Sequence, residues 1–137
     1  MANTKSIGVA FLDQDIIGSQ YVLSSEQLGY TTDAQGSVTQ ATDKSTAVTL
    51  NKSAGRITMN GASLATATNA TFTLNNSFIS ANDIIILNIS GGQTTPGSYN
   101  VFANSLGTGT VSITLRNISG GTLSEAIVIN FAIIHNQ

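Results

Sequence analysis

The chain has 137 residues, a formal net charge of −2 and no cysteine. One compact domain is expected at that length, with a core that needs no disulfide or metal staple. The lack of cysteine excludes thiolate nucleophiles, disulfides and Cys-based zinc sites.

Charged residues make up 9% of the chain, against roughly 25% in an average domain. Hydrophobic residues reach 41% and fall in concentrated runs, which argues for a folded chain rather than a disordered one. The polar surface must then be built from Thr, Ser, Asn and Gly, a composition suited to β-structure and to contact with other protein surfaces. Little charge also means little colloidal repulsion, so a crowded, permanent assembly is a natural setting. The five basic residues, Lys5, Lys44, Lys52, Arg56 and Arg116, form no stripe. Nucleic acid as a partner needs clustered cations and is not expected. No apolar run reaches the ~18–20 residues of a membrane span, and the start lacks a basic stretch followed by an apolar core. Neither a membrane partner nor a signal peptide is therefore expected.

Residues 1–35 read as an extended N-terminal arm. Gly8, Gly18 and Gly29 interrupt it, and its short apolar patches sustain neither a helical nor a strand period. Phe11, Leu12, Ile16, Ile17, Tyr21, Val22 and Leu23 argue against simple disorder, because such side chains dock on something. Residues 36–137 read as the domain proper. Residues 46–50 and 56–59 alternate, with Val48, Leu50, Ile57 and Met59 inward, and the turn-like residues 51–55 between them suggest an antiparallel hairpin. Residues 60–69 form a loop with Leu64 tucked in. Residues 70–74 follow as a strand with Phe72 and Leu74 inward, and Phe78 and Ile79 are expected to cap the core. Tyr99, Val101 and Ala103 share one face of a further strand. Val111, Ile113 and Leu115 share one face of the next.

The two most apolar stretches, residues 82–90 and 124–135, read as the two central strands. Both of their faces are apolar. A sandwich strand ordinarily buries one face and wets the other, so the outer face is expected to be covered by the arm or by another subunit. About eight strand candidates, with no convincing helical window, give an all-β fold: an antiparallel two-sheet β-sandwich, on the jelly-roll plan, with an immunoglobulin-like sandwich as the alternative.

The residues that could carry chemistry are sparse. His135 is the only histidine and sits near the chain end, where it is expected to be solvent-exposed. A triad would need it held by a carboxylate and facing a nucleophile. Asp13 and Asp15 could pair, but a calcium loop would need further acidic positions. Glu125 and Arg116 are placed for an ion pair across a hairpin. No phosphate loop, nucleophile elbow or metal-spaced His cluster is present. No catalytic residue, cofactor or metal is therefore expected. The segment Asn88-Ile89-Ser90-Gly91-Gly92 recurs as Asn117-Ile118-Ser119-Gly120-Gly121. Two equivalent strand exits with the same turn chemistry are the simpler reading; paired ligand loops are the other.

One resemblance covers about three quarters of the chain, residues 36–134. The run Gly36-Ser37-Val38-Thr39-Gln40-Ala41-Thr42-Asp43-Lys44-Ser45-Thr46-Ala47-Val48-Thr49-Leu50-Asn51-Lys52 is followed by Gly55-Arg56-Ile57-Thr58-Met59 and closed by Arg116-Asn117-Ile118-Ser119-Gly120-Gly121-Thr122-Leu123-Ser124-Glu125-Ala126. In this order the motifs resemble a β-module of tailed-bacteriophage virion proteins, found in capsid decoration (cement) proteins and in head or tail fibres. The start of the arm, with Gly8-Val9-Ala10-Phe11-Leu12-Asp13-Gln14-Asp15-Ile16, resembles the arms that begin small head-attached proteins. The resemblance implies a non-enzymatic, homo-oligomeric virion part, dimer or trimer, on the outer surface of the capsid, with the major capsid protein as partner. Phe11, Leu12, Ile16, Ile17, Tyr21 and Val22 are the expected contacts of the arm with the capsid or a neighbouring subunit. A fibre or spike tip binding a host glycan is the alternative. Its site would be the loops at residues 91–98 and 104–109, with Tyr99 and Phe102 for stacking.

Overall fold

The computed structural model describes residues 23–136. Eight strands carry the fold: β1 (Gln35–Thr39), β2 (Val48–Thr49), β3 (Ala54–Thr58), β4 (Asn69–Asn75), β5 (Ile84–Gly91), β6 (Tyr99–Gly107), β7 (Thr110–Asn117) and β8 (Val128–Ile134). A 3-10 turn, Thr32–Ala34, precedes β1. The strands form an all-β two-sheet sandwich around one core. Sheet A has the order β1-β3-β8-β5 and sheet B the order β2-β4-β7-β6.

Only β6 and β7 are joined as a hairpin; every other connection crosses from one sheet to the other. Two successive crossings reverse the chain twice and restore its direction. Accordingly β1 runs parallel to β3, and β2 parallel to β4. The other four pairs are antiparallel. This corrects the expectation of wholly antiparallel sheets, and with it the all-antiparallel jelly-roll plan. A short link forbids parallel pairing only between the two strands it joins, and here the parallel partners are separated by an intervening strand in the other sheet. The hairpin expected over residues 46–59 is corrected for the same reason: β2 belongs to sheet B and β3 to sheet A. A second correction concerns β5, which is an edge strand, not a central one; the central strands of sheet A are β3 and β8.

β-Branched residues at alternate positions explain why the strands form and which way they face. Ile57 of β3 and Ile129, Phe131 and Ile133 of β8 point inward, opposite Phe72 and Leu74 of β4 and Val111, Ile113 and Leu115 of β7. Met59, Leu64, Ile79 and Ile127 close the ends. Leu50 packs inward beside Gly55, where a Cβ would lie 2.7 Å from Leu50 Cδ2 and 2.9 Å from Phe131 Cε1. Phe78, expected to cap the core, is half-exposed, and its neighbour Ile79 does that alone.

The outer faces differ. Sheet B presents Thr71, Thr73, Ser112 and Arg116, and the Thr71 and Thr114 hydroxyls bond at 2.7 Å. Sheet A is divided. Arg56 faces Asn130, which faces Asn88. Along the same strands Ile86 pairs with Ala132 and Ile84 with Ile134. Ile84, Ile86 and Ile134 remain 55%, 50% and 49% exposed.

Candidate functional site

The expected contact residues Phe11, Leu12, Ile16, Ile17, Tyr21 and Val22, and the pair Asp13 and Asp15, lie outside the described residues. Of the described part of the arm, Leu28, Gly29 and Tyr30 border the apolar half of sheet A. The Tyr30 hydroxyl donates to the backbone carbonyl of Ile133 in β8. Gln35 Nε2 donates to the Tyr30 carbonyl at 2.9 Å, and Lys52 Nζ holds the Asp33 carbonyl at 2.7 Å. Between this segment and the sheet runs a groove of about 440 Å3, lined by Leu28, Gly29, Tyr30, Ile86, Ala132 and Ile134. Next to it a shallow hollow of about 510 Å3, of mixed polarity, includes Thr32, Gln35, Ser37, Arg56, Asn130 and Phe131. Arg56 Nε reaches Asn130 Oδ1 at 3.4 Å, and Arg56 is the one charged residue in the four strands of sheet A.

The apolar groove was partly legible. The two-sided apolarity of residues 84–89 and 126–134 marks Ile84, Ile86 and Ile134. Leu28 and Tyr30 carry no such signal, because isolated apolar residues in an arm have no period to declare them. Arg56 is likewise a lone cation in sequence and gains meaning only from the sheet around it.

His135 is exposed, as expected of this end of the chain, yet it does have an orienting carboxylate. Its Nδ1 lies 3.1 Å from Asp83 Oδ2, although half of the imidazole stays exposed. The buried Asp83 carboxylate also accepts the Ser80 amide at 2.8 Å, the Ser80 hydroxyl at 2.7 Å and the Asn136 amide at 3.3 Å. The Ser80 amide bond, aided by these other donors against the cost of burial, holds its pKa down to about 2. A serine, an aspartate and a histidine thus meet in one place, but in the wrong order. In a triad the imidazole stands between hydroxyl and carboxylate and takes the proton. Here the carboxylate stands between the other two, so the imidazole cannot activate Ser80. The cluster fastens the end of β8 to the turn before β5.

The expected Glu125–Arg116 pair is also corrected. Glu125 Oε1 accepts the Thr94 amide at 2.6 Å, and Arg116 Nη1 reaches Asn69 Oδ1 at 3.3 Å. Lys44, buried, donates to the carbonyls of Asn60 at 2.6 Å and Glu125 at 2.5 Å. Burial lowers the Lys44 pKa, and the Glu125 carboxylate opposes that shift. Thr94 holds the Glu125 carboxyl below its ordinary range. Tyr99 lies in the same region; burial, with Glu125 beside it, pushes the phenol up to about 12. The Tyr99 hydroxyl, Glu125 Oε2 and Gln93 Oε1 are buried without a hydrogen-bond partner. Tyr99 is therefore not available to stack on a sugar, and Phe102, 39% exposed, is the only aromatic of the two left for that role.

The two Asn-x-Ser-Gly-Gly copies are not equivalent. Asn117 is fully buried and holds the Leu64 and Gly121 carbonyls at 2.9 and 2.8 Å, while its Oδ1 accepts the Ser119 amide and hydroxyl. Asn88 stands exposed on sheet A, and its strand continues through Gly91. Among the described residues no three of His, Asp and Glu converge as a metal site would require.

Comparison of the chain with protein-family models, with curated proteins and with solved structures finds no match to any of them.

Proposed function

We propose that the chain is a non-enzymatic structural protein of a bacteriophage virion, a capsid decoration protein that binds the outer head shell and reinforces it. The observation that carries the reading is the contrast between the two outer faces. Sheet B is clothed mainly in Thr, Ser and Asn, with Arg116 and one part-exposed aromatic, Phe102, whereas sheet A gathers Ile84, Ile86 and Ile134 half-exposed in one patch beside the arm. An apolar patch on a weakly charged sandwich is a surface for a permanent neighbour rather than for solvent. The motif order over residues 36–126 and the apolar residues Phe11, Leu12, Ile16, Ile17, Tyr21 and Val22 support the same reading. In it the major capsid protein and further copies of this chain are the partners, and each arm contact gains from repetition on a symmetric lattice.

Purified protein added to heads that lack it tests the proposal. The full chain is expected to bind saturably. The full-length variant Phe11→Asp with Ile16→Asp is expected to lose most of that binding while remaining folded. Equal binding by both would remove the arm from the account. Adsorption to host cells without binding to heads would favour the fibre-tip alternative, which the burial of Tyr99 weakens.

A further inference from the structure

We infer that, in the isolated subunit, the apolar outer face of β5 and β8 is the seat of the chain's own residues 7–15, with Ile7, Val9, Phe11 and Leu12 over Ile84, Ile86 and Ile134, and Asp13 and Asp15 facing Arg56. Three observations on the face point to this occupant. First, the face is unfinished: three isoleucines half-exposed in one patch are bordered by β5, an edge strand with no charge and no proline, whose only blunting device is a bulge between Ile89 and Gly91, away from Ile84 and Ile86. Second, the chain enters the described structure on this face. Leu28, Gly29 and Tyr30 form one wall of the groove, and the Tyr30 hydroxyl is fastened to β8. A segment tethered this close acts at an effective concentration in the millimolar range, which a separate molecule meets only when crowded. Third, polarity matches. Sheet A holds a single charge, Arg56, two strands away from Ile86, or roughly 10 Å. In the arm, residues 6–12 are uncharged, and Asp13 and Asp15 follow Phe11 within roughly 7–14 Å of extended chain. The residues between Asp15 and Leu28 span at most ~45 Å when extended, ample for the return to the groove.

This inference concerns the free chain; on a head the arm would leave this face for the shell, so the two readings share the patch but are tested separately. A stowed arm could fail to be found while the protein still bound heads, and the reverse. Because the chain has no cysteine, Ala10→Cys gives a single site for a nitroxide tag on the full-length protein. In dilute tagged protein, the amide signals of Ile84, Ile86, Ala132 and Ile134 are expected to lose most of their intensity, and those of Thr71, Thr73 and Ser112 on sheet B to keep theirs. Adding Arg56→Glu is expected to restore much of the lost signal. In the untagged chain the Phe11 ring is expected to show nuclear Overhauser contacts to the Ile86 and Ile134 methyl groups, a measurement that needs no variant. No loss and no such contacts would overturn the inference. So would loss seen only when tagged chains are mixed with untagged isotope-labelled ones, which would assign the face to a second copy. Broadening unchanged by Arg56→Glu would overturn the charge pairing.

Discussion

Asp83 ties the end of the chain to the body through donors that favour its ionised form. Its folded pKa is about 2 against an ordinary 3.8. A depressed carboxyl contributes stability that is fully present above the unfolded value and is lost as pH falls through the folded one. The wild-type chain is therefore expected to lose stability between about pH 4 and pH 2, and Asp83→Asn to be less stable at neutral pH with a flatter acid limb. Denaturant melts across that window check both. Tyr99 works in the opposite sense. With its phenol raised to about 12 from 10.0, its contribution is present below pH 10 and fades as pH rises towards 12. Gly92 is a third fixed point. It has φ +87°, and a Cβ there would stand 2.1 Å from the Ala126 carbonyl oxygen. Gly92→Ala combines an unfavourable left-handed backbone with a clash against main chain, and is expected to cost about 3 kcal/mol in a chemical melt. These residue-scale features were mostly illegible in the sequence. His135 and Asp83 are separated by 52 positions, and nothing local announces that they meet. The repeated Asn-Ile-Ser-Gly-Gly segment looked like one device used twice. In the fold, Asn117 is a buried hub and Asn88 a surface residue, because only the first lies between the Leu64 loop and the turn at Gly121.

Strands were far easier to read than strand partners. The period of two in residues 70–74, 111–115 and 127–133 names the inward residues of β4, β7 and β8, since each strand carries its own burial pattern. Pairing is a non-local property. The residues between Leu50 and Ala54 have turn composition whether they reverse the chain within a sheet or carry it across, so the link from β2 to β3 looked like a hairpin. The exposed status of β5 was hidden for a related reason: an apolar run marks a strand that something covers, and does not say what. The contrast between faces yields a paired prediction. Ile129→Ala removes a fully buried side chain and is expected to cost about 3–4 kcal/mol. Ile86→Lys, on the half-exposed outer face, is expected to cost about 1 kcal/mol or less. Equal losses in thermal or denaturant melts would mean that the outer face is as much a part of the folding core as the inner one.

At the scale of the molecule, the chain is a weakly charged sandwich with one mainly polar face, one partly apolar face, and an arm whose residues 28–30 border the apolar one. The all-β class followed from composition and period, whereas the two parallel edge pairs followed from the crossing path and could not be read locally. The proposed capsid role draws on the apolar residues of 1–22 and on the motif order of residues 36–126. Reinforcement of a shell is a property of many copies, so each weak apolar contact counts through its repetition. The most direct test is to add the purified full chain to phage heads that lack it and to follow both its occupancy on the shell and the temperature at which the heads open. The account predicts saturable binding to the outer surface and a higher opening temperature, with both effects reduced by Phe11→Asp together with Ile16→Asp. Heads that neither take up the protein nor open at a higher temperature in its presence would contradict it.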